Sequence, residues 1–294
     1  MPESKKIFLL CVGAQKSGTT WLYSYLRSHE NVDMGFAKEY HVFDSLLLPI
    51  GENKFNTLLN EASDQLKTLR RGSLSRIRNK KSSPAIVFKM LDFFSDIDNY
   101  FNYFSSILHA DDDIFLTGDI TPAYASLPKS AFETIKKGFD DRGIETKVLF
   151  LMRDPVERCI SASQMSMRTS GNDLTQERFD RRVLGRIGKD KVEARTRYDL
   201  TIQTLESVFD NDQIHYEFYE RLFNEDSVSR LCDFLGIPTK PAKFDMRVNA
   251  AKVSITASEA VKSKIYEYYS PVYDFIFERY SKEFISTIWK NYGC

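Results

Sequence analysis

The sequence predicts an α/β fold in which helices flank a mostly parallel central sheet. The apolar run 7–12 and the stretch 147–152, which is apolar after Lys147, are typical of strands that are buried on both faces of a parallel sheet. Segments with apolar residues at helical spacing alternate with such runs, as at 96–109 and 225–235. Because alternating strands and helices build crossover units, the whole chain, 1–294, is predicted to be a single domain of this class.

The other elements are predicted from the same patterns and from local start and stop signals. Pro155 suits the first turn of a helix, where its missing N–H costs no hydrogen bond. Strands are expected at 31–34, 85–90, 113–118 and 213–218. Helices are expected from the loop after the first strand to about His29, at 54–69, at 129–138, from Pro155, at 191–209 and in the last 35 or so residues. The polar stretch 171–190 is expected to be loop with a short helix.

Composition limits the classes of partner. With 41 basic and 41 acidic residues the formal net charge is zero, so no global field attracts nucleic acid. The four cysteines, Cys11, Cys159, Cys232 and Cys294, show neither C-x-x-C pairing nor zinc spacing, so free thiols and no metal site are expected. No apolar run approaches the roughly 20 residues of a membrane span, and no signal peptide is recognised. These features predict a soluble, cytoplasmic protein.

A loop of small and polar residues, 13–20, connects the first strand to the first helix. A strand, a glycine-containing loop and a helix in this order direct backbone N–H groups and a helix N-terminus at a phosphate. Lys16 adds a positive charge but precedes Gly18, unlike the lysine of the kinase-type P-loop G-x-x-x-x-G-K-[ST]. A glycine turn without a ligand is the alternative. The other candidate phosphate-binding residues of this stretch are Ser17, Thr19, Thr20 and Trp21.

A second candidate phosphate site follows the strand at 147–152. Its carboxyl end leads to Arg153, and open α/β sheets bind ligands at this edge. Ser161 lies eight residues further on, so a guanidinium and a hydroxyl are available to hold one phosphate from two sides. The alternative is that Arg153 only forms an ion pair with Asp154 or Glu157.

Together these motifs resemble the sulfotransferases that use 3′-phosphoadenosine 5′-phosphosulfate (PAPS). The order K-S-G-T-T-W-L at 16–22 is similar to the 5′-phosphosulfate loop of that family, and Arg153 with Ser161 is similar to its 3′-phosphate site. The resemblance implies a P-loop NTPase-like sulfotransferase fold, PAPS as cofactor and an enzyme that transfers a sulfuryl group to a hydroxyl or amine. Two alternatives remain open: a non-catalytic relative that binds nucleotide or glycan, and a P-loop small-molecule kinase.

The heptapeptide K-E-Y-H-V-F-D at 38–44 resembles the catalytic segment of carbohydrate sulfotransferases of the heparan sulfate type. The resemblance implies that Glu39 is the catalytic base, that His41 supports it or contacts substrate, and that Asp44 is the following acid. It also implies a carbohydrate or glycolipid acceptor. An ion pair of Glu39 with Lys38 is the alternative, and the family usually has Phe-Phe where this chain has Val-Phe.

Weaker similarities add further candidates. The stretch D-I-T-P-A-Y resembles an element that lines the acceptor cleft, which implies substrate contacts for Asp119 and Tyr124, with Lys89 as a neighbouring cation. Tyr198 resembles a tyrosine near the nucleotide. Three residues of a late loop resemble the segment that closes over the nucleotide: Arg247, Asn249 and Lys252. The basic stretch 67–81 is expected to be a solvated segment.

Overall fold

A four-stranded parallel sheet forms the centre of the protein. The computed structural model describes residues 5–49, 54–70, 83–167, 175–244 and 255–291. Within this part the strands stand in the order β2–β1–β3–β4, and every pairing is parallel. The predicted α/β class is therefore confirmed. The strands are β1 (Ile7–Gly13), β2 (Leu116–Ile120), β3 (Glu145–Met152) and β4 (Ile214–Phe218).

The central strand β1 has apolar side chains on both faces, and both are covered. Phe8 and Leu10 belong to the larger hydrophobic core, whereas Leu9 and Cys11 belong to a second core on the opposite face. This division follows from the alternation of side chains along a strand. Burial on both faces explains why the sequence of β1 is an unbroken apolar run. Because β1 ends at Gly13, the loop that follows lies at the carboxyl edge of the sheet.

Helices cover both faces and connect the strands. A 3₁₀ turn, Pro122–Ser126, follows β2, and another, Asn211–Gln213, precedes β4. No helix in the described ranges is long and apolar enough to cross a bilayer. The helices are α1 (Thr19–Leu26), α2 (Val42–Leu47), α3 (Lys54–Arg70), α4 (Pro84–Ser95), α5 (Ile97–Ala110), α6 (Lys129–Asp140), α7 (Pro155–Met167), α8 (Gln176–Leu184), α9 (Asp190–Glu193), α10 (Tyr198–Glu206), α11 (Glu225–Leu235), α12 (Glu259–Tyr268), α13 (Ser270–Tyr280) and α14 (Lys282–Ile288).

The expected strand at 85–90 is wrong, because this stretch lies within α4. The Ser83 hydroxyl caps the helix by accepting from the Ile86 N–H, and Pro84 occupies the first turn. The buried residues then recur every third position, at Val87, Met90 and Phe93. A short apolar run does not distinguish a buried helix from a strand by its periodicity, so the cap was the better signal.

Two smaller expectations also need correction. The strand expected at 31–34 is reduced to one bridge between Val32 and Leu116. The helix expected at 191–209 is divided into α9 and α10. The short helix expected within 171–190 is α8, with nine residues. The cysteines Cys11, Cys159 and Cys232 are buried free thiols, as predicted, whereas Cys294 lies outside the described residues.

Candidate functional site

The loop between β1 and α1 has an unusual backbone. Lys16 has a φ of 74° and Gly18 a φ of 87°, so the left-handed region is used twice within three residues. A Cβ atom on Gly18 would lie 2.8 Å from Leu222 Cδ2, so any other residue here would require the Leu222 side chain to move. Gly18 is the N-cap of α1. The first N–H groups of a helix have no partners within it, so those after Gly18 are available to a ligand at the loop.

Two buried polar groups beside this loop are unsatisfied. Among the described residues, the fully buried hydroxyl of Ser17 has no hydrogen-bond partner, and neither has the buried Nε of Arg153. Buried polar atoms are almost always paired, so these two donors are available to a bound group. Both can donate a hydrogen bond, and phosphate oxygens are acceptors that fit such groups and a helix N-terminus.

Arg153 joins the two predicted phosphate motifs. Its Nη1 donates a hydrogen bond to the Lys16 carbonyl at 3.1 Å, and its guanidinium lies 4.4 Å from the centre of the Tyr219 ring. The ion pair with Glu157 is present at 3.5 Å, so that alternative is also part of the structure. Arg153 therefore lies directly against the loop, while Ser161 is half-buried two turns into α7.

Tyr198 supports this arrangement from the core. Its side chain is buried, and its hydroxyl donates to the Arg153 carbonyl at 2.9 Å. Asp154 is directed away from Arg153 and accepts a hydrogen bond from Asn291 Nδ2 at 3.0 Å. The tyrosine thus holds the backbone that presents the arginine. The late-loop residues Arg247, Asn249 and Lys252 lie outside the described residues.

Lys38 connects the loop to the predicted catalytic segment. Its Nζ donates to the hydroxyl oxygens of Thr19 at 3.1 Å and Thr20 at 3.3 Å. The same ammonium group donates to Glu39 Oε1 at 2.7 Å. The alternative ion pair of Glu39 with Lys38 is therefore present, but it also places the carboxylate next to the phosphate loop.

A chain of charges continues from Glu39 through His41. The second carboxylate oxygen of Glu39 lies 3.2 Å from His41 Nε2, and His41 Nδ1 lies 3.0 Å from Asp44 Oδ2. Because both ring nitrogens face carboxylates, both donate and the ring carries a positive charge. His41 is the N-cap residue of α2 and has a φ of 56°.

The acid–base properties of these two groups follow from their partners. Burial favours the neutral form of Glu39, but hydrogen bonding from His41 and the charge of Lys38 outweigh it and lower its pKa to about 2. For His41, burial favours the neutral ring, but hydrogen bonds to Asp44 and Glu39 raise its pKa to about 9. At neutral pH the pair is a carboxylate and an imidazolium.

Asp119 lies beneath this segment, fully buried at the end of β2. Its carboxylate accepts from the hydroxyls of Thr121 at 2.6 Å and of Tyr100 and Tyr124 at 3.0 Å each. The Thr121 oxygen in turn accepts the Tyr40 N–H at 3.0 Å. Burial raises the pKa of Asp119 to about 6.

The D-I-T-P-A-Y stretch, which was expected to line the acceptor cleft, therefore forms hydrogen bonds with the backbone of the K-E-Y-H segment. The Tyr124 hydroxyl accepts the Val42 N–H at 3.1 Å, so it and Asp119 hold the segment that carries Glu39 and His41. Lys89 is not the neighbour of Asp119 that the strand expectation implied. It lies on α4, where its Nζ is 3.4 Å from Asp92 Oδ2.

Sequence reasoning did not select Lys38 or Tyr219 as site residues. The sequence suggests Lys38 only as an ion-pair partner of Glu39. Its contacts with the loop arise from the fold. Tyr219 follows β4 at the same sheet edge as Arg153, and its position there was the signal that could have identified it. Trp21 packs below the loop, where its Nε1 donates to the Lys243 carbonyl at 3.0 Å.

Comparisons with a family model and with solved structures show which proteins this chain is similar to. The family model described as "Sulfotransferase family" matches residues 9–241, which include the loop, the K-E-Y-H segment, Arg153 and Ser161. None of the curated proteins searched matches the chain. Among solved structures, a sulfotransferase from Alicyclobacillus acidocaldarius aligns with a TM-score of 0.56 and 15% identity, covering 93% of this chain and 95% of that one.

Two further solved structures are similar over most of their length. The sulfotransferase domain of the Synechococcus PCC 7002 olefin synthase has a TM-score of 0.48 and 15% identity, with 89% of this chain and 85% of that one covered. The sulfotransferase domain of the curacin biosynthetic pathway has a TM-score of 0.45 and 17% identity, with coverages of 91% and 97%. The family model covers most of the sequence, and the chain belongs to the sulfotransferase family.

Proposed function

We propose that this protein is a PAPS-dependent sulfotransferase in which Glu39 is the catalytic base. The observation that supports the proposal most strongly is the hydrogen-bonded path from Thr19 through Lys38 to Glu39. It connects a loop suited to phosphate with a carboxylate suited to accept a proton. A sulfuryl transferase needs both groups, with the acceptor between them.

The donor site has the polar groups that PAPS requires. The helix N-terminus after Gly18, the Lys16 ammonium and the buried Ser17 hydroxyl would hold the 5′-phosphosulfate. Arg153, which has a buried and unsatisfied Nε, would hold the 3′-phosphate together with Ser161. When bound, PAPS would supply the sulfuryl group and leave as adenosine 3′,5′-bisphosphate.

Lys16 and Lys38 bring two positive charges to the loop. Negative charge on the departing phosphate increases as transfer proceeds, so fixed cations there stabilise the transition state more than the ground state. Lys38 is held between Thr20 and Glu39, at 3.3 and 2.7 Å, and need not reorganise during the reaction. This arrangement favours an in-line displacement assisted by electrostatic stabilisation.

Glu39 is ionised at neutral pH, as a base must be. Its pKa of about 2 makes it a weak base, so we expect proton transfer to be late, when the acceptor oxygen has already bonded to sulfur and lost its basicity. Its side chain is 37% exposed, which leaves room for an acceptor hydroxyl. His41 holds the second oxygen and so orients the carboxylate.

The acceptor class rests on the resemblance of K-E-Y-H-V-F-D to carbohydrate sulfotransferases. We propose a hydroxyl of a carbohydrate or glycolipid. The buried free thiols Cys11 and Cys159 support a reducing, cytoplasmic setting.

A transfer assay tests the proposal. The protein is incubated with PAPS and a library of carbohydrate, glycolipid and small-molecule acceptors without magnesium, and products are read by mass spectrometry. We expect a product that carries one added sulfuryl group, its loss in Lys16→Met, and its retention in the control Lys89→Met. Bisphosphate binding without transfer to any acceptor would support a non-catalytic relative, and magnesium-dependent transfer from ATP would support a kinase.

A further inference from the structure

The side chain of Arg153 lies between two neighbours at the carboxyl edge of the sheet. Its guanidinium is 4.4 Å from the centre of the Tyr219 ring, and its Nη1 donates to the Lys16 carbonyl at 3.1 Å. The side chain is 16% exposed, so little of it is free to move. A guanidinium binds an anion well only when its backbone sets the right distance and direction, so the peptide at Arg153 has to be held in place.

The peptide group between Arg153 and Asp154 is held at both of its polar atoms. Its carbonyl accepts a hydrogen bond from the Tyr198 hydroxyl at 2.9 Å. Its N–H donates to Glu220 Oε1 at 3.0 Å. Tyr198 is the first residue of α10, and Glu220 follows the end of β4 by two residues. Two side chains that are distant from Arg153 in the sequence therefore determine the orientation of this peptide.

Glu220 is itself held by the C-terminal part of the chain. Its second oxygen, Oε2, accepts a hydrogen bond from Trp289 Nε1 at 3.2 Å. Trp289 is fully buried and packs edge-on against Phe218, with 5.6 Å between the ring centres. The carboxylate thus connects a buried aromatic residue to the peptide that follows Arg153.

A second contact from the C-terminal part reaches the same turn. Asn291 Nδ2 donates to Asp154 Oδ2 at 3.0 Å and to Glu157 Oε1 at 3.3 Å. The Tyr273 hydroxyl donates to the other oxygen of Asp154 at 2.5 Å. Glu157 is the ion-pair partner of Arg153. The C-terminal residues therefore hold both the residue after Arg153 and the carboxylate beside its guanidinium.

The charge of Glu220 does not explain its place here. Burial raises the pKa of Glu220 to about 7, while the Asp154 N–H and the charge of Arg153 lower it, so the carboxyl group interacts with the arginine. A negative charge close to a phosphate site repels the ligand. The contribution of Glu220 to such a site has to come from its hydrogen bonds.

We propose that Glu220 is a positioning residue for the 3′-phosphate site. It holds the peptide after Arg153 so that the guanidinium meets the phosphate, and Trp289 holds Glu220. This inference rests on the proposed function, in which Arg153 binds the 3′-phosphate. Glu220 acts through the N–H of Asp154 and makes no contact with the nucleotide.

The test compares adenosine 3′,5′-bisphosphate with adenosine 5′-phosphate, two ligands that differ only in the 3′-phosphate. Isothermal titration calorimetry of the full chain gives the ratio of the two dissociation constants. Unfolded protein binds neither ligand, so a loss of stability weakens both equally and leaves the ratio unchanged. We expect the preference for the bisphosphate to fall roughly tenfold in Glu220→Ala. It should fall less in Glu220→Gln, whose oxygen can still accept the Asp154 N–H.

Three further variants complete the experiment. Arg153→Ala should remove most of the preference for the bisphosphate. Glu217→Ala is the matched control, because it removes a buried carboxylate of β4 that pairs with Arg230, and it should keep the wild-type preference. Trp289→Phe retains an aromatic ring but removes the N–H that holds Glu220, so it should also lower the preference. Circular dichroism shows which variants are folded.

The outcomes separate this inference from the proposed function. If Arg153→Ala lowers the preference but Glu220→Ala does not, the positioning role is wrong and the phosphate assignment stands. The same conclusion follows from an unchanged preference in Trp289→Phe if Glu220→Ala does not fold. A higher preference in Glu220→Ala would show that Glu220 acts only through its charge. A wild-type preference in Arg153→Ala would overturn the phosphate assignment, and this inference with it.

Discussion

The ammonium group of Lys38 donates a hydrogen bond of 2.7 Å to the carboxylate of Glu39, the next residue in the chain. The same ammonium contacts the hydroxyls of Thr19 and Thr20 in the phosphate loop. Lys38 thereby holds the loop and the base at a fixed separation. Its role is both to stabilise charge at the loop and to set the pKa of Glu39.

Replacing Lys38 by methionine should reduce transfer by about 10²-fold, because a preorganised cation is lost at the site of charge development. The charge and hydrogen bond of Lys38 lower the pKa of Glu39, so the acid limb of the pH–rate profile should move to higher pH. Lys38→Arg should restore part of the rate. Lys89→Met, which removes a lysine on α4, is the control. An unchanged profile in Lys38→Met would show that this lysine does not act on Glu39.

Arg153→Ala should weaken the binding of adenosine 3′,5′-bisphosphate by roughly 1.5–3 kcal/mol, as expected for a lost hydrogen bond to a charged group. This corresponds to roughly a ten- to 150-fold rise in Kd, measurable by isothermal titration calorimetry. Arg142→Ala removes an arginine that binds Asn102 and should leave the affinity unchanged. Equal affinities of Arg153→Ala and the wild type would exclude the assigned phosphate contact.

Asp119→Asn should disturb the position of the K-E-Y-H segment, because the buried Asp119 holds this segment and is not itself expected to contact substrate. The amide nitrogen replaces one of the two oxygens, so it faces either the Thr121 hydroxyl or the hydroxyls of Tyr100 and Tyr124, which are donors in the wild type. We therefore expect a loss of roughly 1–3 kcal/mol in the free energy of unfolding. The rate of transfer should fall while bisphosphate affinity stays the same, because the donor site lies elsewhere. Urea unfolding, calorimetry and transfer rates separate the three effects. The surface variant Asp92→Asn is the control, and a matching loss of nucleotide affinity in Asp119→Asn would contradict the positioning role.

His41 should titrate far above an ordinary histidine. Its folded pKa of about 9 exceeds the reference value of 6.5, so its contribution to stability is complete below about pH 6.5 and is lost as pH rises through about 9. The difference in unfolding free energy between the wild type and His41→Gln should therefore shrink over this range. An NMR titration measures the midpoint directly, with the resonance assigned by its absence in His41→Gln. A midpoint near 6.5 would contradict the doubly paired imidazolium.

The sequence was sufficient for the elements whose signals are local. β1, the glycine loop and the start of α1 form one continuous pattern, and Pro155 after β3 marks the start of α7. The stretch 85–90 was misassigned because a short apolar run fits either buried helix or buried strand. The cap at Ser83 and Pro84 contained the missing information.

Sequence motifs suggest the candidate residues Lys16, Glu39 and Arg153, but they do not show the contacts between these residues and their neighbours. The contact between Lys38 and Thr19 depends on how the chain returns to the sheet edge, and no local rule specifies it. The burial of Asp119 likewise depends on residues distant in the sequence or beyond its strand. Tyr100 of α5 and Tyr124 of the turn after β2 both contact its carboxylate.

Glu39→Gln tests the central claim most directly when transfer and nucleotide affinity are measured on the same protein. A glutamine keeps the shape and removes the base, so transfer from PAPS should fall by on the order of 10²–10⁴. The affinity for the bisphosphate should remain that of the wild type. The control is Glu206→Gln, which changes a carboxylate paired with Arg279, and it should leave both the transfer rate and the bisphosphate affinity unchanged. Transfer at the wild-type rate in Glu39→Gln would contradict the assignment of Glu39 as the base.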